Sequence, residues 1–291
     1  MKVYLFPGQG AQFVGMGNVL LEKYPNAAKT LQEADEILGF SIAEKMKNGT
    51  EEELKQTDIT QPAIFLYSVI VVQSFGAQFL PQAVAGHSLG EFSALVAAKS
   101  LTFADGLQLV YKRACAMQKA CIGKSAGMAA VLGLSDELVA EICAKIDGIV
   151  VPANYNCPGQ LVISGEDEAL KKASEALKEA GAKRVLPLTV GGAFHSPLMQ
   201  SAQDELAKAI HAVELKNPIC PIYQNVHAQA ETEASVIKEN LIAQLTAPVK
   251  WTQTGENLYK DGFCEAIEVG PGNVLQGLMK KINKDFILSG V

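Results

Sequence analysis

The sequence predicts an α/β fold in which a smaller subdomain is inserted into a larger domain. Residues 83–98 comprise an apolar stretch, the turn GHSLG and a helical pattern. A strand, a tight glycine turn and a helix in this order are typical of α/β proteins. Between residues 124 and 192 the predicted order is βαββαβ, the ferredoxin-like pattern. We therefore expect residues 1–123 and 193–291 to form the large domain and residues 124–192 to form the subdomain.

Hydrophobic periodicity and turn signals predict the individual elements. In the large domain we expect strands at 3–6, 83–85, 219–226 and 265–269, and helices at 63–75, 91–98, 105–121, 196–213 and 254–260. Residues 18–38 also have helical periodicity, which is interrupted near Pro25. In the subdomain we expect strands at 128–134, 149–153, 160–163 and 184–190, and helices at 136–146 and 167–180. No internal repeat or low-complexity tract interrupts this order.

Composition and charge narrow the class of protein. The chain has 291 residues, of which 48% are hydrophobic, and its formal net charge is −6. A negative net charge argues against nucleic-acid binding, which needs a basic surface. It would also repel an acidic protein, so such a partner would have to bind at a local basic patch. The apolar stretch 63–75 contains polar residues and is too short to span a bilayer, and residues 1–10 lack the features of a signal peptide. We therefore expect a soluble, cytoplasmic protein that binds neither nucleic acid nor membrane.

The cysteines and histidines form no metal-binding pattern. The six cysteines include no CxxC pair, and none of the four histidines lies close to a cysteine pair. Zinc sites need such clusters, so we expect reduced, mostly buried thiols and no metal.

Ser88 is the candidate nucleophile. The turn GHSLG at residues 86–90 fits the G-x-S-x-G nucleophile elbow, in which flanking glycines relieve clashes at a sharp strand-to-helix turn. The serine hydroxyl then projects from the turn, the backbone N–H of Leu89 points to the oxyanion, and the following helix adds its positive end. The alternative is an ordinary turn serine on a glycine corner.

His195 is the candidate base. It lies in the glycine-rich sequence GGAFHSP, where the chain returns from the predicted subdomain, and domain junctions commonly hold sites. The side chain of His87 should point away from that of its neighbour Ser88, His211 lies on a predicted exposed helix face, and His227 follows a predicted strand. The alternative for His195 is a helix-capping or core histidine.

No third acid stands out between the serine and the histidine. A hydrolase triad would place an Asp or Glu between them in the chain. The sequence predicts that the available aspartates lie at helix starts, on the surface or in turns: Asp105, Asp136, Asp147 and Asp167. A backbone carbonyl can hold the imidazole Nδ1–H instead, and such a partner leaves no trace in the sequence.

Several motifs together resemble one known family, the malonyl-CoA:acyl carrier protein transacylases of fatty acid synthesis. The resemblance covers nearly the whole chain. Its motifs are FPGQGAQ (6–12), TQPA (60–63), GHSLGE (86–91), YKRA (111–114), NYNCPGQ (154–160), AFHS (193–196), PVKW (248–251) and EVGPG (268–272).

The resemblance implies a hydrolase-like parallel-sheet core with a ferredoxin-like subdomain. It also implies that Ser88 is the nucleophile and that His195 is first the general base and then the general acid. The oxyanion hole would be formed by the backbone N–H groups of Gln9 and Leu89. Gln9 follows a predicted strand in a glycine turn, where a backbone N–H can be aimed freely.

The resemblance further implies an acyl pocket with a carboxylate clamp. Arg113 lies on a predicted helix and would select malonyl over neutral acyl groups, because a guanidinium fork matches a carboxylate. Without the family, a surface arginine is the alternative. Phe194 resembles the malonyl-using members, and Gln61 and Gln160 match positions that line the acyl pocket.

Three further residues are expected to support this site from behind. His87 and Asn156 are expected to contact residues next to Ser88 and His195 rather than the substrate. The backbone carbonyl of Lys250 is expected, from the family pattern, to hold the imidazole of His195.

The expected reaction is a ping-pong transfer of malonyl from malonyl-CoA through Ser88 to the phosphopantetheine thiol of acyl carrier protein. Coenzyme A thioester is then a substrate, and no cofactor is needed. The acidic carrier requires a basic face, with two candidate clusters that could equally be ordinary solvated charge: Lys183 with Arg184, and Lys280, Lys281 with Lys284.

Two other functions stay open at this point. An esterase or thioesterase would release the acyl group to water, but Arg113 and the missing third acid count against it. A non-catalytic docking module would leave Ser88 inert, and the intact serine, histidine and oxyanion turn count against that. The sequence does not separate a fatty-acid enzyme from a stand-alone polyketide loader.

Overall fold

The protein is a mixed α/β structure with two separate sheets, and the computed structural model describes residues 1–291. The strands are β1 (Lys2–Phe6), β2 (Ala83–Gly86), β3 (Ala126–Leu132), β4 (Val150–Cys157), β5 (Gln160–Glu166), β6 (Arg184–Pro187), β7 (Ile222–Tyr223), β8 (Ala230–Glu231), β9 (Glu265–Glu268) and β10 (Ile287–Gly290). The helices are α1 (Met16–Lys23), α2 (Ala27–Leu38), α3 (Ile42–Asn48), α4 (Glu51–Lys55), α5 (Thr57–Phe75), α6 (Gly90–Ala97), α7 (Phe103–Cys121), α8 (Asp136–Lys145), α9 (Asp167–Glu179), α10 (Gln200–His211), α11 (Ala234–Ala243), α12 (Trp251–Lys260) and α13 (Val274–Ile282).

The larger sheet is the core of the fold and is almost entirely parallel. Its strand order is β10-β9-β1-β2-β7-β8, and only the β7–β8 pair is antiparallel. The central strands β1 and β2 run in register from Val3 opposite Ala83 to Phe6 opposite Gly86. Because parallel strands end at the same edge of a sheet, the turns that follow β1 and β2 emerge side by side. These turns carry Gln9 and Ser88.

The smaller sheet has four antiparallel strands in the order β4-β5-β3-β6. Helices α8 and α9 pack against it, and together they enclose a separate cluster of buried apolar side chains. Along the chain these elements follow one another as β3-α8-β4-β5-α9-β6. The small sheet therefore has a hydrophobic core of its own.

A short backbone connection joins the small sheet to the segment between α11 and α12, beside the predicted site. The N–H of Val249 donates to the carbonyl of Ala153 at 2.8 Å, and the N–H of Tyr155 donates to the carbonyl of Val249 at 2.9 Å. Strand β4 is thus hydrogen-bonded to the segment that follows α11. This connection places Asn154 and Asn156 against the carboxyl end of the large sheet.

Helix α5 is longer than the sequence indicated. It begins at Thr57 rather than at residue 63 and contains Pro62, because the carbonyl of Gln56 already accepts the N–H groups of Ile59 and Thr60. By length and composition the segment Thr57–Gln78 could cross a membrane, but 72% of its most apolar window is buried inside the protein. The prediction that this stretch is too short was wrong; burial, rather than length, identifies α5 as a core helix.

Candidate active site

Ser88 occupies the sharp turn between β2 and α6. Its φ is 52°, in the left-handed region that non-glycine residues rarely adopt. A Cβ added at Gly86 would lie 1.9 Å from the backbone of Gly90, and one added at Gly90 would lie 2.0 Å from the carbonyl oxygen of Phe6. The two glycines are therefore required by close backbone contacts, as the elbow hypothesis supposed.

His195 contacts the serine with one ring nitrogen and backbone carbonyls with the other. Ser88 Oγ lies 2.8 Å from His195 Nε2, whereas Nδ1 lies 3.0 Å from the carbonyl oxygen of Gln244 and 3.2 Å from that of Ala247. Because carbonyls only accept hydrogen bonds, Nδ1 carries the hydrogen and Nε2 is free to accept the serine proton. A carbonyl thus takes the place of a third acid.

Burial keeps the imidazole uncharged. Desolvation, together with the nearby charge of Arg113, lowers the pKa of His195 to about 3. The neutral ring is the form that can act as a base at neutral pH.

The prediction that the carbonyl of Lys250 holds His195 was wrong. Lys250 is the residue that caps the start of α12, and its carbonyl accepts the N–H of Thr254 at 2.9 Å. The first turn of a helix uses this carbonyl, so the imidazole is held by carbonyls that lie earlier in the chain.

The predicted oxyanion donors are the backbone N–H groups of Gln9 and Leu89. Both residues line the same cavity, and neither N–H has a hydrogen-bond partner within the protein. The adjacent donor, Gly10 N–H, is taken by Gln12 Oε1 at 2.8 Å. Two unpartnered N–H groups beside a serine hydroxyl form a pair that can stabilise a developing oxyanion.

Arg113 lies at the serine rather than at the surface. Its side chain is buried, with 1% of its surface exposed. Nη2 donates to Ser88 Oγ at 2.9 Å and to Gln244 Oε1 at 3.0 Å, and Nη1 donates to Gln61 Oε1 at 2.8 Å. Burial lowers the pKa of Arg113 to about 10, partly offset by the charge of Glu91, so the guanidinium stays cationic at neutral pH.

The guanidinium has no carboxylate in direct contact. Arg113 takes part in no salt bridge, and its buried Nε has no hydrogen-bond partner. A buried cation without an anionic partner is costly, which indicates a site for an anion.

The catalytic groups share one cavity of about 180 Å³. Its lining includes nine of the residues predicted from the sequence: Gln9, Gln61, His87, Ser88, Leu89, Arg113, Asn156, Phe194 and His195. The lining also includes apolar residues that the sequence did not indicate. Met128 and Val162 come from the small sheet, and Leu188 and Val190 come from the segment that follows β6. The cavity therefore lies between the two sheets.

Gln160 does not line this cavity but borders the one beside it, so its place in the acyl pocket stays a prediction. It begins strand β5, where its Oε1 lies 3.3 Å from Lys281 Nζ. It borders an adjoining cavity of about 150 Å³ that shares Gln9, His87 and Asn156 with the first.

His87 and Asn156 contact each other behind the serine. His87 Nε2 lies 2.9 Å from Asn156 Oδ1, and the His87 ring is 5.5 Å from that of Trp251. Burial lowers the pKa of His87. The remaining histidines, His211 and His227, are exposed and lie outside the site.

Comparisons with known proteins identify the family. The model of the acyl transferase domain family matches residues 3–285. The malonyl CoA-acyl carrier protein transacylase of Bacillus subtilis (strain 168) is 43% identical over 285 residues, which cover 97% of this chain and 90% of the relative. The chain belongs to the malonyl CoA-acyl carrier protein transacylase family. It is therefore an acyltransferase, and the resemblance inferred from the sequence is confirmed.

Solved structures of this family have the same fold as this acyltransferase. An acyl carrier protein S-malonyltransferase from Vibrio cholerae O1 biovar eltor str. N16961 superposes with a TM-score of 0.96 at 42% identity, covering 100% of this chain and 96% of that one. A malonyl-transacylase solved in complex with its type II PKS acyl-carrier protein gives a TM-score of 0.95 at 39% identity, covering 99% and 94% of the two chains.

Three buried polar residues of this acyltransferase were missed by sequence reasoning. Asn225 Oδ1 accepts the N–H of Ser88 at 2.6 Å, and its Nδ2 donates to the carbonyl of Gly86 at 2.6 Å. Gln244 Nε2 donates to the carbonyl of Ser88 at 3.0 Å. Glu91 Oε1 accepts the N–H of Asn225 at 2.6 Å, and its Oε2 accepts from Gln244 Nε2.

Of these three, only Glu91 carried a usable signal. It is an acidic residue in the otherwise apolar and small sequence of α6, which is buried on nearly all sides. Burial raises the pKa of Glu91, whereas the hydrogen bonds from Asn225 and Gln244 and the charge of Arg113 lower it. Because a donor faces each of its two oxygens, the hydrogen-bond geometry indicates the ionised carboxylate. Asn225 and Gln244 lie more than 130 residues from Glu91 along the chain, and no motif in the sequence connects them with it.

Proposed function

We propose that this acyltransferase moves a malonyl group from malonyl-CoA to the phosphopantetheine thiol of acyl carrier protein, for fatty acid synthesis, by a ping-pong mechanism through an ester on Ser88. One observation carries this proposal. The buried guanidinium of Arg113 lies 2.9 Å from Ser88 Oγ and has no carboxylate partner. The names of the similar proteins point to the same substrates.

The free carboxylate of a malonyl group is the partner that Arg113 lacks. A guanidinium binds a carboxylate through parallel N–H donors, and a buried pair of this kind replaces the missing counter-charge. When Ser88 becomes acylated, the Nη2–H that its hydroxyl now accepts becomes available to the carboxylate. Acetyl and longer neutral acyl groups would leave the guanidinium unpaired, so they bind less well.

In the first half of the reaction, His195 Nε2 takes the proton of Ser88 as Oγ attacks the thioester carbonyl. The N–H groups of Gln9 and Leu89 hold the oxyanion of the tetrahedral intermediate. When the intermediate collapses, the C–S bond breaks, and the coenzyme A thiolate leaves with the proton from His195. The malonyl ester then remains on Ser88.

In the second half, the phosphopantetheine thiol of the carrier repeats these steps in reverse. His195 takes the thiol proton, the sulfur attacks the ester carbonyl, and the same backbone donors hold the oxyanion. The C–O bond to Ser88 then breaks, and His195 returns the proton to the serine. Coenzyme A thioester is a substrate throughout, and we propose that no cofactor or metal takes part.

We also propose the finer classification of the fold. The elbow at the carboxyl edge of a parallel sheet supports a hydrolase-like core formed by residues 1–123 and 193–291. The strand order β4-β5-β3-β6, with α8 and α9 packed on it, supports a ferredoxin-like subdomain formed by residues 124–192.

The proposed setting is the cytoplasm, where malonyl-CoA and the carrier protein are the partners and neither nucleic acid nor membrane is bound. The net charge of −6 supports the exclusion of nucleic acid. The burial of α5 supports the exclusion of a membrane. Lys183 and Arg184 are exposed at the start of β6 and are one candidate contact for an acidic carrier.

The substitution Arg113→Ala tests the carboxylate clamp. Rates of acyl-enzyme formation from malonyl-CoA and from acetyl-CoA are measured by quenched-flow mass spectrometry. Loss of a buried charge-assisted contact should lower kcat/KM for malonyl-CoA by about 100-fold and leave or raise that for acetyl-CoA.

The matched control is Lys112→Ala, the exposed neighbour of Arg113 on the same helix, which should change neither rate. If Arg113→Ala retains the malonyl preference of the unaltered protein, the clamp is refuted. If the acyl-enzyme discharges to water as fast as to a holo carrier protein, the protein is a hydrolase and not a transferase.

A further inference from the structure

Glu91 is a buried carboxyl group that does not touch the reacting atoms. It lies in the first turn of α6, with 1% of its surface exposed, and it takes part in no salt bridge. Both of its oxygens accept hydrogen bonds, one from the backbone N–H of Asn225 at 2.6 Å and the other from Gln244 Nε2. Both donors belong to residues that also hydrogen-bond the backbone of Ser88.

Gln244 connects the serine, the base and the arginine. Its side-chain oxygen accepts from Arg113 Nη2 at 3.0 Å, its side-chain nitrogen donates to the carbonyl of Ser88 at 3.0 Å, and its backbone carbonyl lies 3.0 Å from His195 Nδ1. An amide has one accepting end and one donating end. Glu91 and the Ser88 carbonyl both accept at the donating end, so they fix the amide with its oxygen towards the guanidinium.

We propose that Glu91 is a positioning residue for malonyl selectivity, because through Gln244 it holds the Arg113 guanidinium at Ser88. This inference rests on the proposed role of Arg113 as the carboxylate clamp. Nη2 donates to both Gln244 Oε1 and Ser88 Oγ, so acylation of Ser88 frees one Nη2–H for the substrate while the hydrogen bond to Gln244 keeps the guanidinium in place. If the Gln244 amide were reversed, its nitrogen would face the guanidinium, and two donors would oppose each other.

The substitution Glu91→Gln isolates this effect with little change in shape. A glutamine side chain offers one accepting oxygen, so it can accept from Asn225 or from Gln244 but not from both. If it accepts from the Asn225 backbone, its NH₂ group faces Gln244 Nε2. Gln244 must then reverse its amide or lose the contact, and the guanidinium is no longer held at the serine.

The test compares malonyl-CoA with acetyl-CoA in acyl-enzyme formation by the Glu91→Gln variant of the full chain. We expect the ratio of the two kcat/KM values to fall about 10- to 100-fold, since one buried hydrogen bond to a charged group is removed and another is opposed. The ratio distinguishes an effect on Arg113 from an effect on the turn that carries Ser88. Damage to Ser88 alone would lower the rates with malonyl-CoA and acetyl-CoA equally.

The matched control is Glu268→Gln. Glu268 is also 1% exposed, and its two oxygens accept the backbone N–H groups of Leu275 at 3.0 Å and Gln276 at 3.1 Å, outside the catalytic cavity. This variant should retain the malonyl-to-acetyl ratio of the unaltered protein. It therefore shows what a buried Glu→Gln change does without a connection to Arg113.

The possible outcomes separate this inference from the proposed function. If the unaltered protein shows no preference for malonyl-CoA, the proposed function fails at once. If it prefers malonyl-CoA and Glu91→Gln lowers both rates equally or neither, the positioning role is overturned. If Glu91→Gln does not fold, Gln244→Met removes the amide but keeps the backbone carbonyl at His195; the same fall in the ratio is expected, and an unchanged ratio overturns the inference.

Discussion

The Ser88 backbone and side chain are held by different residues. Asn225 accepts the N–H and Gln244 donates to the carbonyl, while His195 and Arg113 contact the hydroxyl. The N–H and the carbonyl of Ser88 are thus both hydrogen-bonded. These two contacts help to hold the strained backbone of this residue at its φ of 52°. The hydroxyl remains aimed at the base in the absence of substrate.

The depressed pKa of His195 predicts how acylation depends on pH. A histidine with an ordinary pKa near 6.5 would be mostly protonated at pH 5, and its neutral, proton-accepting form would fall roughly 30-fold. Since burial and Arg113 lower the pKa of His195 to about 3, the neutral form persists well below pH 6.5. We therefore expect protonation of His195 to cause no decline in the single-turnover rate of acylation by malonyl-CoA between pH 8 and pH 5. Since burial also raises the pKa of Glu91, any decline that Glu91 causes in this range should be absent from the Glu91→Gln variant.

This profile is measured by rapid quench at each pH, with circular dichroism as a check that the protein remains folded. A decline that begins near pH 6.5 in both the unaltered protein and the Glu91→Gln variant would contradict the burial argument. It would mean that the imidazole is as easily protonated as an exposed histidine.

At the residue scale, the sequence identified the groups that perform chemistry better than the groups that hold them. Ser88 was predicted because its flanking glycines are required by the turn, and His195 because it lies in a glycine-rich junction. Gln244 was missed because its role depends on contacts with residues far away in the chain. The error at Lys250 has the same origin, since only the structure shows which carbonyl points at the ring.

At the element scale, one unit positions the nucleophile. It consists of β2, the turn that carries Ser88, and α6. The carbonyl of Phe6 accepts the N–H of His87 at 3.0 Å, so the elbow is fixed to the end of β1 as well as to its own strand. Gly86 and Gly90 make this close approach possible. The geometry of the nucleophile therefore depends on these elements together.

The substitution Gly86→Ala should disrupt this unit. The added methyl group would lie 1.9 Å from the backbone of Gly90, so the turn must move, at a cost of about 1–3 kcal/mol or more in the free energy of unfolding. Acylation of Ser88 should fall with it. Urea denaturation and acyl-enzyme formation measure the two effects.

Gly277→Ala is the matched control for this change. Gly277 lies inside α13, and a methyl group there would meet no atom within 4 Å. Alanine favours a helix, so this variant should gain about 0.5–1 kcal/mol in stability and acylate normally. The account of the elbow is wrong if Gly86→Ala behaves like Gly277→Ala in both measurements.

The elements with clear periodicity were predicted, and the short ones were not. Helices α7, α8, α9 and α10 match the expected segments closely, because their apolar residues recur with helical spacing. Helices α3, α4, α11 and α13 were not predicted, since most of them are short. The strand expected at 219–226 is only two residues long as β7, because the next residues use their backbone groups elsewhere: the N–H of Asn225 donates to Glu91.

At the scale of the whole molecule, strand β4, which contributes to the cavity, is joined to the segment between α11 and α12. Val249 exchanges two backbone hydrogen bonds with β4, and Thr252 Oγ1 donates to the carbonyl of Tyr155 at 3.1 Å. The order of elements in residues 124–192 could be predicted from their local patterns. The strand order of the large sheet and the connection at Val249 could not, because partners distant in sequence leave no local signal.

This connection predicts that the two sheets unfold together. Trp251 is the only tryptophan of the chain, is fully buried, and follows the Val249 connection at the start of α12. Its fluorescence should therefore report the junction, whereas far-ultraviolet circular dichroism reports all helices. We expect the two signals to give coincident transitions in urea. A fluorescence transition that clearly precedes the dichroism transition would show that the junction opens first.

The central claim is that Ser88 carries a malonyl group from coenzyme A to a carrier thiol. Brief mixing with malonyl-CoA, followed by intact-protein and peptide mass spectrometry, tests it most directly. The account predicts a mass gain of one malonyl group that maps to Ser88, is absent from Ser88→Ala, and disappears when holo acyl carrier protein is added. Substantial labelling of Ser88→Ala, or no labelling of the unaltered protein while the carrier becomes malonylated, would contradict it.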